Sequence, residues 1–538
     1  MSLQWQLSRE VPPDTAEVGQ EVLDADDVYR QIGERFDALF PAESVFAGMY
    51  ESGGRGAESP LLMALVVVFQ MLEKVPDRTA AAWVAKRLDW KYALHLPLKF
   101  RAFHFTALYA FRQRLQAHDQ VRQLFDLLLA QLKETGLLQD RGKMRTDSTH
   151  VLAVVERLSQ LELVTESVRL ALRALEALAP DWVRHTVTAE FGAPYATRQS
   201  EYKLSESEVA QRLAQAGQDG FWLVAQVEQH EPVWARTVSE VAVLRQVLSQ
   251  QFPQGSSQPP AAKRPSGQAV IESPHEPEAR RGYKRGQAWL GYKVQVTETC
   301  DDERPHLIVD LTPTSALAND SPELEPLHDR LAAQALLPAE QWVDQGYMSG
   351  QNLVDSAEQG VTLIGTPLDD TQGPSGFQQA DFQIDEAAQH ALCPAGQVSV
   401  VWTVRPVATA KPSATTAEPP AAIQVRFAAA TCRACPHWGV CTQSAQGRSL
   451  TLHPYRAALT AQRALAKTEA YRLKQHRRAG VEATISELVR GYGLRRARYR
   501  GQAKLALQMA FTAVAINLKR LVRWWTRLQP DPVAVAAS

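Results

Sequence analysis

Three carboxylates are the residues most able to do chemistry together, provided that the fold brings them to one place. Asp147 lies inside an otherwise apolar stretch that predicts a strand, Asp344 ends a later predicted strand, and Glu482 lies on a predicted helix. Phosphodiester cleavage or transfer uses two divalent cations about 3.5–4 Å apart, and hard cations such as Mg²⁺ or Mn²⁺ take oxygen ligands. The alternative for each acid is a structural hydrogen bond or a solvated position, although an acid inside a strand needs a partner when it is buried.

Four cysteines form a second candidate site. Cys393, Cys432, Cys435 and Cys441 supply thiols that could bind one structural Zn²⁺ tetrahedrally, and such a closed site would fold a small insertion rather than do chemistry. His437 lies among them and could replace one sulfur, while the alternative is a reduced, partly buried thiol cluster. Cys300 follows a predicted strand and is expected to be a core thiol.

Charge is distributed unevenly along the chain. The formal net charge is −1, yet residues 471–528 contain fourteen Lys or Arg and two acids, which gives this segment +12 and the rest −13. A cationic block with aromatic residues interleaved indicates a polyanion-binding surface, and the alternative is a solvated helix face. A second basic segment precedes a predicted strand and could follow a DNA backbone or simply end a linker; its residues are Arg280, Arg281, Lys284, Arg285 and Lys293.

The spacing of apolar residues separates helical from strand-forming regions. Helical periodicity over 26–138 predicts an all-helical N-terminal region, in which 78–115 is either a helix-turn-helix DNA reader or part of a plain bundle. Strands are predicted near 143–155, 290–299, 307–311, 341–344 and 361–364, with helices at 323–334 and 349–359. This order predicts an α/β fold with a mixed sheet flanked by helices.

Two insertions are expected to interrupt this sheet. The first is helical and ends in a Pro, Ser and Gln-rich linker, and the second contains the cysteines. The predicted organisation is a helical DNA-binding domain (1–140), the first part of the core (141–155), the helical insertion and linker (156–277), the continued core (278–375), the cysteine-containing insertion (376–452), a C-terminal helical part with Glu482 and the basic segment (453–528), and a tail (529–538).

The residues around the three acids resemble those of a known family. RTDSTHV around Asp147, WVDQGYMSG around Asp344 and GVEATISELVRGYGLRRARYRGQAKLALQ around Glu482 resemble the three blocks of DDE transposases of bacterial insertion sequences. The eleven-eighty-two insertion-sequence group also shares SPHEPEARRGYKRGQAWLGYKVQVTETCDD and the cysteine segment. The resemblance covers nearly the whole chain, and the run GLRRARYRG is its most specific part.

The resemblance implies an RNase H-like core with a divalent-metal DDE triad formed by Asp147, Asp344 and Glu482. It implies a transposase that binds the terminal inverted repeats of its element, cuts the DNA ends and joins the 3′-hydroxyls to double-stranded target DNA. A homodimer is expected because two ends must be cut together, and the expected location is the bacterial cytoplasm at the nucleoid. The DNA-contacting residues predicted from the C-terminal block are Arg478, Arg490, Arg495, Arg496, Arg498, Arg500 and Lys504.

The chain departs from a Tyr, Arg, Glu and Lys signature found in related transposases. Only Arg478 and Glu482 match, because Gln475 replaces the Tyr and Val489 replaces the Lys. Glu487 competes with Glu482 for the third ligand position, but it lies five residues on, about 500° around the helix and hence on a different face.

Composition narrows the classes of protein to which the chain could belong. With 45% hydrophobic and 22% charged residues the chain has the composition of an ordinary globular protein. The apolar run Leu61–Phe69 is too short for a bilayer, which needs about 20 residues, so no membrane span is predicted. Five cysteines and no signal-peptide pattern favour a reducing cytoplasm. The rival functions are a DNA-binding protein without catalysis, a nuclease that does not join strands, and a scaffold built around the cysteines.

Overall fold

The computed structural model describes residues 6–40, 42–51, 53–54, 56–229, 237–252, 269–284, 286–370, 372–406 and 421–528. Most of the predicted Pro, Ser and Gln-rich linker, the predicted DNA contact Arg285 and the predicted tail lie outside these residues.

Helices form the N-terminal region, and α4 is its buried centre. The Ser59 hydroxyl accepts a hydrogen bond from the Leu62 backbone N–H at 3.0 Å and so caps α4, whose residues 60–71 are all buried. A helix that is apolar on every side is a core helix. The helices are α1 (Pro13–Val22), α2 (Val28–Glu34), α3 (Phe36–Leu39), a 3₁₀ turn (Glu43–Met49), α4 (Pro60–Glu73), α5 (Asp77–Lys86), α6 (Leu88–Ala93), α7 (Thr106–Ala117) and α8 (Gln123–Glu134).

The first insertion is helical, as its periodicity predicts. Ser159 and Glu162 form a capping box that starts α9, and α9, α12 and α13 bury a hydrophobic cluster of their own. The helices are α9 (Gln160–Leu178), α10 (Pro180–Thr186), α11 (Ala189–Gly192), α12 (Glu206–Gln229) and α13 (Ser239–Gln251).

A mixed sheet forms the centre of the molecule. β3 pairs antiparallel with β1 along one edge and with both β2 and β4 along the other, and β5 and β6 continue the sheet parallel to β1. The elements are β1 (Lys143–Leu152), β2 (Arg280–Lys284), β3 (Gln287–Thr299), β4 (Ile308–Ser315), α14 (Leu324–Ala333), β5 (Glu340–Val343), α15 (Gly350–Glu358) and β6 (Thr362–Ile364). The predicted strands and helices of this region are confirmed, and β2 is an additional strand.

The cysteine-containing segment folds into small sheets. A two-stranded sheet pairs β7 with β8, and a three-stranded sheet has the order β11, β10, β9. The elements are β7 (Gln383–Asp385), β8 (His390–Leu392), β9 (Val401–Pro406), β10 (Ala421–Arg426), α16 (Ala429–Arg433) and β11 (Ser449–Leu452).

The C-terminal helices complete the core. They are α17 (Arg456–Ala466), α18 (Glu469–Gln475), a 3₁₀ turn (His476–Ala479), α19 (Gly480–Gly491) and α20 (Gln502–Leu528). α20 is long and apolar enough to cross a membrane, but 83% of its apolar window is buried inside the fold, where it contacts β4, α2, α4, α7 and α8. It therefore serves as a core helix that joins the N-terminal helices to the sheet, and the predicted α/β fold class, an RNase H-like mixed sheet with a helical N-terminal region, is confirmed.

Candidate active site

The sheet register brings Asp147 and Asp344 to neighbouring positions. β1 and β5 run parallel, and Thr146 pairs with Val343, so Asp147 and Asp344 are the next residues along the two chains. Adjacent strands lie about 4.8 Å apart. Asp344 directly follows β5, and its backbone carbonyl accepts a hydrogen bond from the Tyr347 N–H at 3.0 Å as the chain turns. Two acids that are distant in sequence thus lie side by side where β5 ends, next to the middle of β1.

Asp147 lies in a partly buried, electrostatically coupled position. Burial raises the pKa of the Asp147 carboxyl above its ordinary value, and the nearby Asp344 raises it further. The Ser148 backbone N–H, which donates to Asp147 Oδ1 at 2.7 Å, lowers this pKa, as do Arg478 and Lys284. A carboxylate held in this way has a strong tendency to take up a cation or a proton.

Arg478 connects the third acid to the first. Its Nη1 atom lies 3.3 Å from Asp147 Oδ2, and its Nη2 atom lies 3.1 Å from Glu482 Oε1, one helical turn further along the chain. The Glu482 side chain is 62% exposed, whereas that of Asp147 is 17% exposed. One guanidinium therefore joins the carboxylates of β1 and α19, and it occupies the cationic position beside both of them.

Within the described ranges, no group of three or more His, Cys, Asp or Glu side chains is arranged to hold a metal ion. At the acids, the Arg478 side chain lies between Asp147 and Glu482. The oxygen-only donor set of Asp147, Asp344 and Glu482 nevertheless suits a hard divalent cation.

A fourth acid and a buried tyrosine lie beside the site, and neither was predicted from the sequence. A Cβ atom on Gly346 would lie 3.1 Å from Asp320 Oδ2, so Asp320 approaches the turn that follows Asp344. Burial raises the pKa of Tyr347 well above its ordinary value, and Asp320, Asp147 and Asp344 all raise it further. Asp320 lies in a turn between β4 and α14, where no periodic signal marks it.

Part of the basic segment around 495 lies against the end of β1. The Leu152 N–H donates to the Arg495 carbonyl at 2.9 Å, and the Ala497 N–H donates to the Leu152 carbonyl at 2.9 Å. The Arg495 side chain also donates to the His150 carbonyl, whereas that of Arg496 is exposed. These bonds hold residues 495–497 beside the strand that carries Asp147.

The other predicted DNA contacts divide into exposed and internally bonded residues. Arg490, Arg496, Arg500 and Lys284 are exposed, whereas Arg281, Arg495 and Lys504 are half-buried. Three others bond to backbone carbonyls: Arg498 to Val75 at 2.7 Å, Lys293 to Ala318 at 2.6 Å, and Arg280 to Pro277. Arg478 faces the acids, and Arg285 lies outside the described residues.

Gln475 and Val489, which replace the Tyr and Lys of the Tyr, Arg, Glu and Lys signature, both have structural contacts. The Gln475 amide donates to the Thr366 hydroxyl at 3.1 Å, and Val489 packs against the main core. Glu487, the competitor for the third ligand position, binds Arg520 at 2.9 Å.

The four clustered cysteines line one small cavity together with His437. The backbone N–H groups of Gln397 and Arg448 point at the sulfur atoms of Cys393 and Cys432, each at 3.4 Å. Burial raises the pKa of Cys441, and the other three thiols contribute to the shift. Cys300 lies apart from them, fully buried beside Trp342, where burial raises its pKa to about 12. All five cysteines are free thiols.

Comparisons with known proteins agree with this arrangement. A family model described as a transposase DDE domain matches residues 392–522, and one described as a transposase domain (DUF772) matches residues 17–114. No curated protein and no solved structure matches the chain. The first match includes Glu482 and the four clustered cysteines, whereas Asp147 and Asp344 lie outside both matches. With transposase domains matched toward both ends and the acid pair on the sheet between them, these matches support a DDE transposase of an insertion-sequence family.

Proposed function

We propose that this transposase binds the terminal inverted repeats of its insertion sequence, cleaves the DNA ends and transfers the 3′-hydroxyl ends to target DNA. The observation that carries the proposal is the meeting of Asp147 and Asp344 at adjacent sheet positions, with Glu482 joined to Asp147 through Arg478. The coarser activity, a DNA-acting transposase, follows from the family.

Asp147, Asp344 and Glu482 would hold two Mg²⁺ or Mn²⁺ ions, which when bound activate the attacking oxygen and neutralise the leaving one. In the first step a water oxygen attacks the phosphorus, the 3′-oxygen leaves, and the water proton is lost to solvent. In the second step the freed 3′-hydroxyl attacks a target phosphodiester, whose own 3′-oxygen leaves. Arg478 has to leave its position between two of the carboxylates, and its guanidinium then becomes available to a DNA phosphate.

The exposed cations suit a DNA backbone that passes the acids. Lys284 is close enough to lower the pKa of Asp147, and Arg496 is exposed beside the end of β1. Arg490 and Arg500 are also exposed on the C-terminal segment. Such cations bind phosphates with little regard to sequence and make binding dependent on salt. We propose that the chain works as a dimer on double-stranded DNA in the bacterial cytoplasm, at the nucleoid.

The test is cleavage of a labelled transposon-end duplex with Mg²⁺ or Mn²⁺ by the Asp344→Asn variant. Loss of several kcal/mol of charge stabilisation predicts that the cleavage rate falls at least about 10²–10³-fold. Asp181→Asn on α10 is the matched control, because it removes the same charge from a side chain that is 81% exposed. Equal cleavage by the Asp344→Asn variant and the wild type would overturn the proposal.

Strand transfer separates the proposed function from its rivals. Pre-cut ends that carry a 3′-hydroxyl should be joined to a target plasmid by the wild-type chain. Cleavage without joined product would indicate a nuclease, and binding without either product would indicate a DNA-binding protein that has lost catalysis.

We also propose that Cys393, Cys432, Cys435 and Cys441 hold one structural Zn²⁺. Their shared cavity and the two backbone N–H groups directed at sulfur support this, because such groups stabilise thiolates. The zinc content of the purified chain should be about one per chain and should fall for Cys435→Ser, whereas Cys300→Ser should retain it. A wild-type chain without zinc would contradict this assignment.

A further inference from the structure

A polar pocket lies on the other side of α19 from the acids. Gly480, Ala483, Thr484 and Glu487 line it, at the spacing of residues that share one helix face. Glu482 lies two residues from both Gly480 and Thr484, about 200° around the helix. α19 therefore separates two sites, one that contains Glu482 and Asp147 and one on the opposite face.

The acids that line this pocket already have cationic partners, since Asp302 binds Arg477 at 2.7 Å and Glu487 binds Arg520 at 2.9 Å. The fully buried Glu298 accepts hydrogen bonds from Arg145 at 2.7 Å, Arg520 at 2.7 Å and Thr484 at 2.6 Å. Gly480 leaves room for Arg145, since a Cβ atom there would lie 1.7 Å from its Nη1 atom. These groups form a closed network that holds α19 against β1 and β3.

Three further arginines at the pocket have few acidic partners. Arg304 Nη1 is buried without a hydrogen-bond partner among the described residues. Arg523 is 57% exposed and lies 3.7 Å from Glu487, beyond hydrogen-bonding distance. Arg527 is exposed in the last turn of α20, four residues from Arg523, and the half-buried Trp524 lies between them in sequence. Cations thus exceed anions at the opening of the pocket.

We propose that Arg304, Arg523 and Arg527 form a rear phosphate pocket that binds the backbone of a DNA duplex outside the strand being cut. A planar guanidinium with free donors matches a phosphate in a two-bond geometry, and an unpartnered buried donor favours such a ligand. A helix is about 10 Å across, so a phosphate here cannot be the one at the acids. The inference rests on the proposed DNA-binding function.

The experiment measures how binding of a transposon-end duplex depends on salt, by fluorescence anisotropy with the full chain. The triple variant Arg304→Gln, Arg523→Gln, Arg527→Gln should reduce the slope of log affinity against log salt by about 0.9 for each phosphate that the variant no longer neutralises, and so by up to roughly three. The matched control replaces the exposed Arg173, Arg198 and Arg212 of the first insertion with Gln and should leave the slope unchanged.

A slope equal to that of the wild type in the pocket variant overturns the inference, as does an equal fall in the control. Arg527→Gln alone changes an exposed side chain of the final turn and should lower the slope by about one, which keeps the test valid if the triple variant does not fold. Failure of the catalytic proposal would be seen in a different measurement, namely retained DNA cleavage by the Asp344→Asn variant. The two outcomes are therefore distinguishable.

Discussion

The carboxylate site and the cysteine cluster are both recognisable from residue types, yet they are assembled in different ways. Asp147, Asp344 and Glu482 come from β1, the turn after β5 and α19, and only the register of the sheet brings the two aspartates together. The four clustered cysteines lie between 393 and 441 and line one cavity within a single segment of the chain. The first site depends on the whole core, and the second depends on a local fold.

This difference also appears in the apolar packing behind each site. The acids lie on the large cluster that unites the sheet with the N-terminal helices, whereas the cysteine segment has a small cluster of its own around Phe382, Phe427 and Leu450. Small apolar cores need an additional constraint such as a metal. We therefore expect substitution of the acids to abolish DNA cleavage. Substitution of the cysteines should instead disorder the cysteine segment.

The largest expected effect is on catalysis. Glu482→Gln should lower transposon-end cleavage at least about 100-fold, because it removes a charged metal ligand while it preserves shape. Glu487→Gln on the same helix should leave the chemical step nearly unchanged, because Glu487 binds Arg520. Single-turnover cleavage rates at saturating DNA measure this difference, and the reverse ranking would make Glu487 the third ligand.

The cysteine segment should respond through its local stability. Cys435→Ser should increase the rate of proteolytic cleavage within 383–452 at least about tenfold, because a bound metal contributes folding free energy directly. The sheet and the N-terminal helices should keep their thermal transition. A metal chelator should reproduce the effect in the wild-type chain, and Ser444→Ala in the same segment is the control. An unchanged digestion pattern would remove the reason to assign a metal there.

Arg478→Ala should change metal affinity in the direction opposite to a ligand mutation. The guanidinium lies beside two carboxylates, so its removal should strengthen Mn²⁺ binding about tenfold, the effect of removing roughly 1.4 kcal/mol of charge competition. Electron paramagnetic resonance of free Mn²⁺ measures this without any turnover. Arg490→Ala, which removes an exposed cation from α19, should have no effect, and weaker Mn²⁺ binding by Arg478→Ala would show that the arginine supports the site.

The smallest expected effect is on stability, and it concerns Asp77, a carboxylate that lies outside both sites. Burial alone would raise the pKa of Asp77, but hydrogen bonds from Arg112 and Gln70 hold it below its ordinary value. A lowered pKa stabilises the fold above the ordinary value of 3.8, and this stabilisation is lost as the pH falls through the lowered value. Asp77→Asn should thus reduce the free energy of unfolding by about 1–2 kcal/mol at neutral pH, with less effect near pH 2, as denaturant unfolding would measure.

Periodic patterns predicted most of the elements, because a core strand or a core helix repeats its apolar residues along a short stretch. The pairing of Asp147 with Asp344 was not predicted, because strand order and register depend on contacts between residues that are far apart in the sequence. The strands of the cysteine segment were not predicted individually, since they are short and half-exposed.

Charged side chains were the least predictable part of the site. Arg478, Arg498 and Lys293 were expected to contact DNA, yet each has an internal partner that lies far away in the sequence. Arg112, in the segment that could read DNA, likewise binds Asp77. A basic residue type does not reveal which way its long side chain points, and only the tertiary fold decides this.

The contact between α4 and α20 determines when the main hydrophobic core can finish packing during synthesis. Leu61, Leu65 and Val68 of α4 are fully buried, and α20 supplies part of what covers this helix. At about 5–20 residues per second, roughly 25–90 s separate the synthesis of the two helices. For that interval the side of α4 that α20 covers is exposed to water and to chaperones. The N-terminal helices and the central sheet therefore reach their final packing together, at the end of translation.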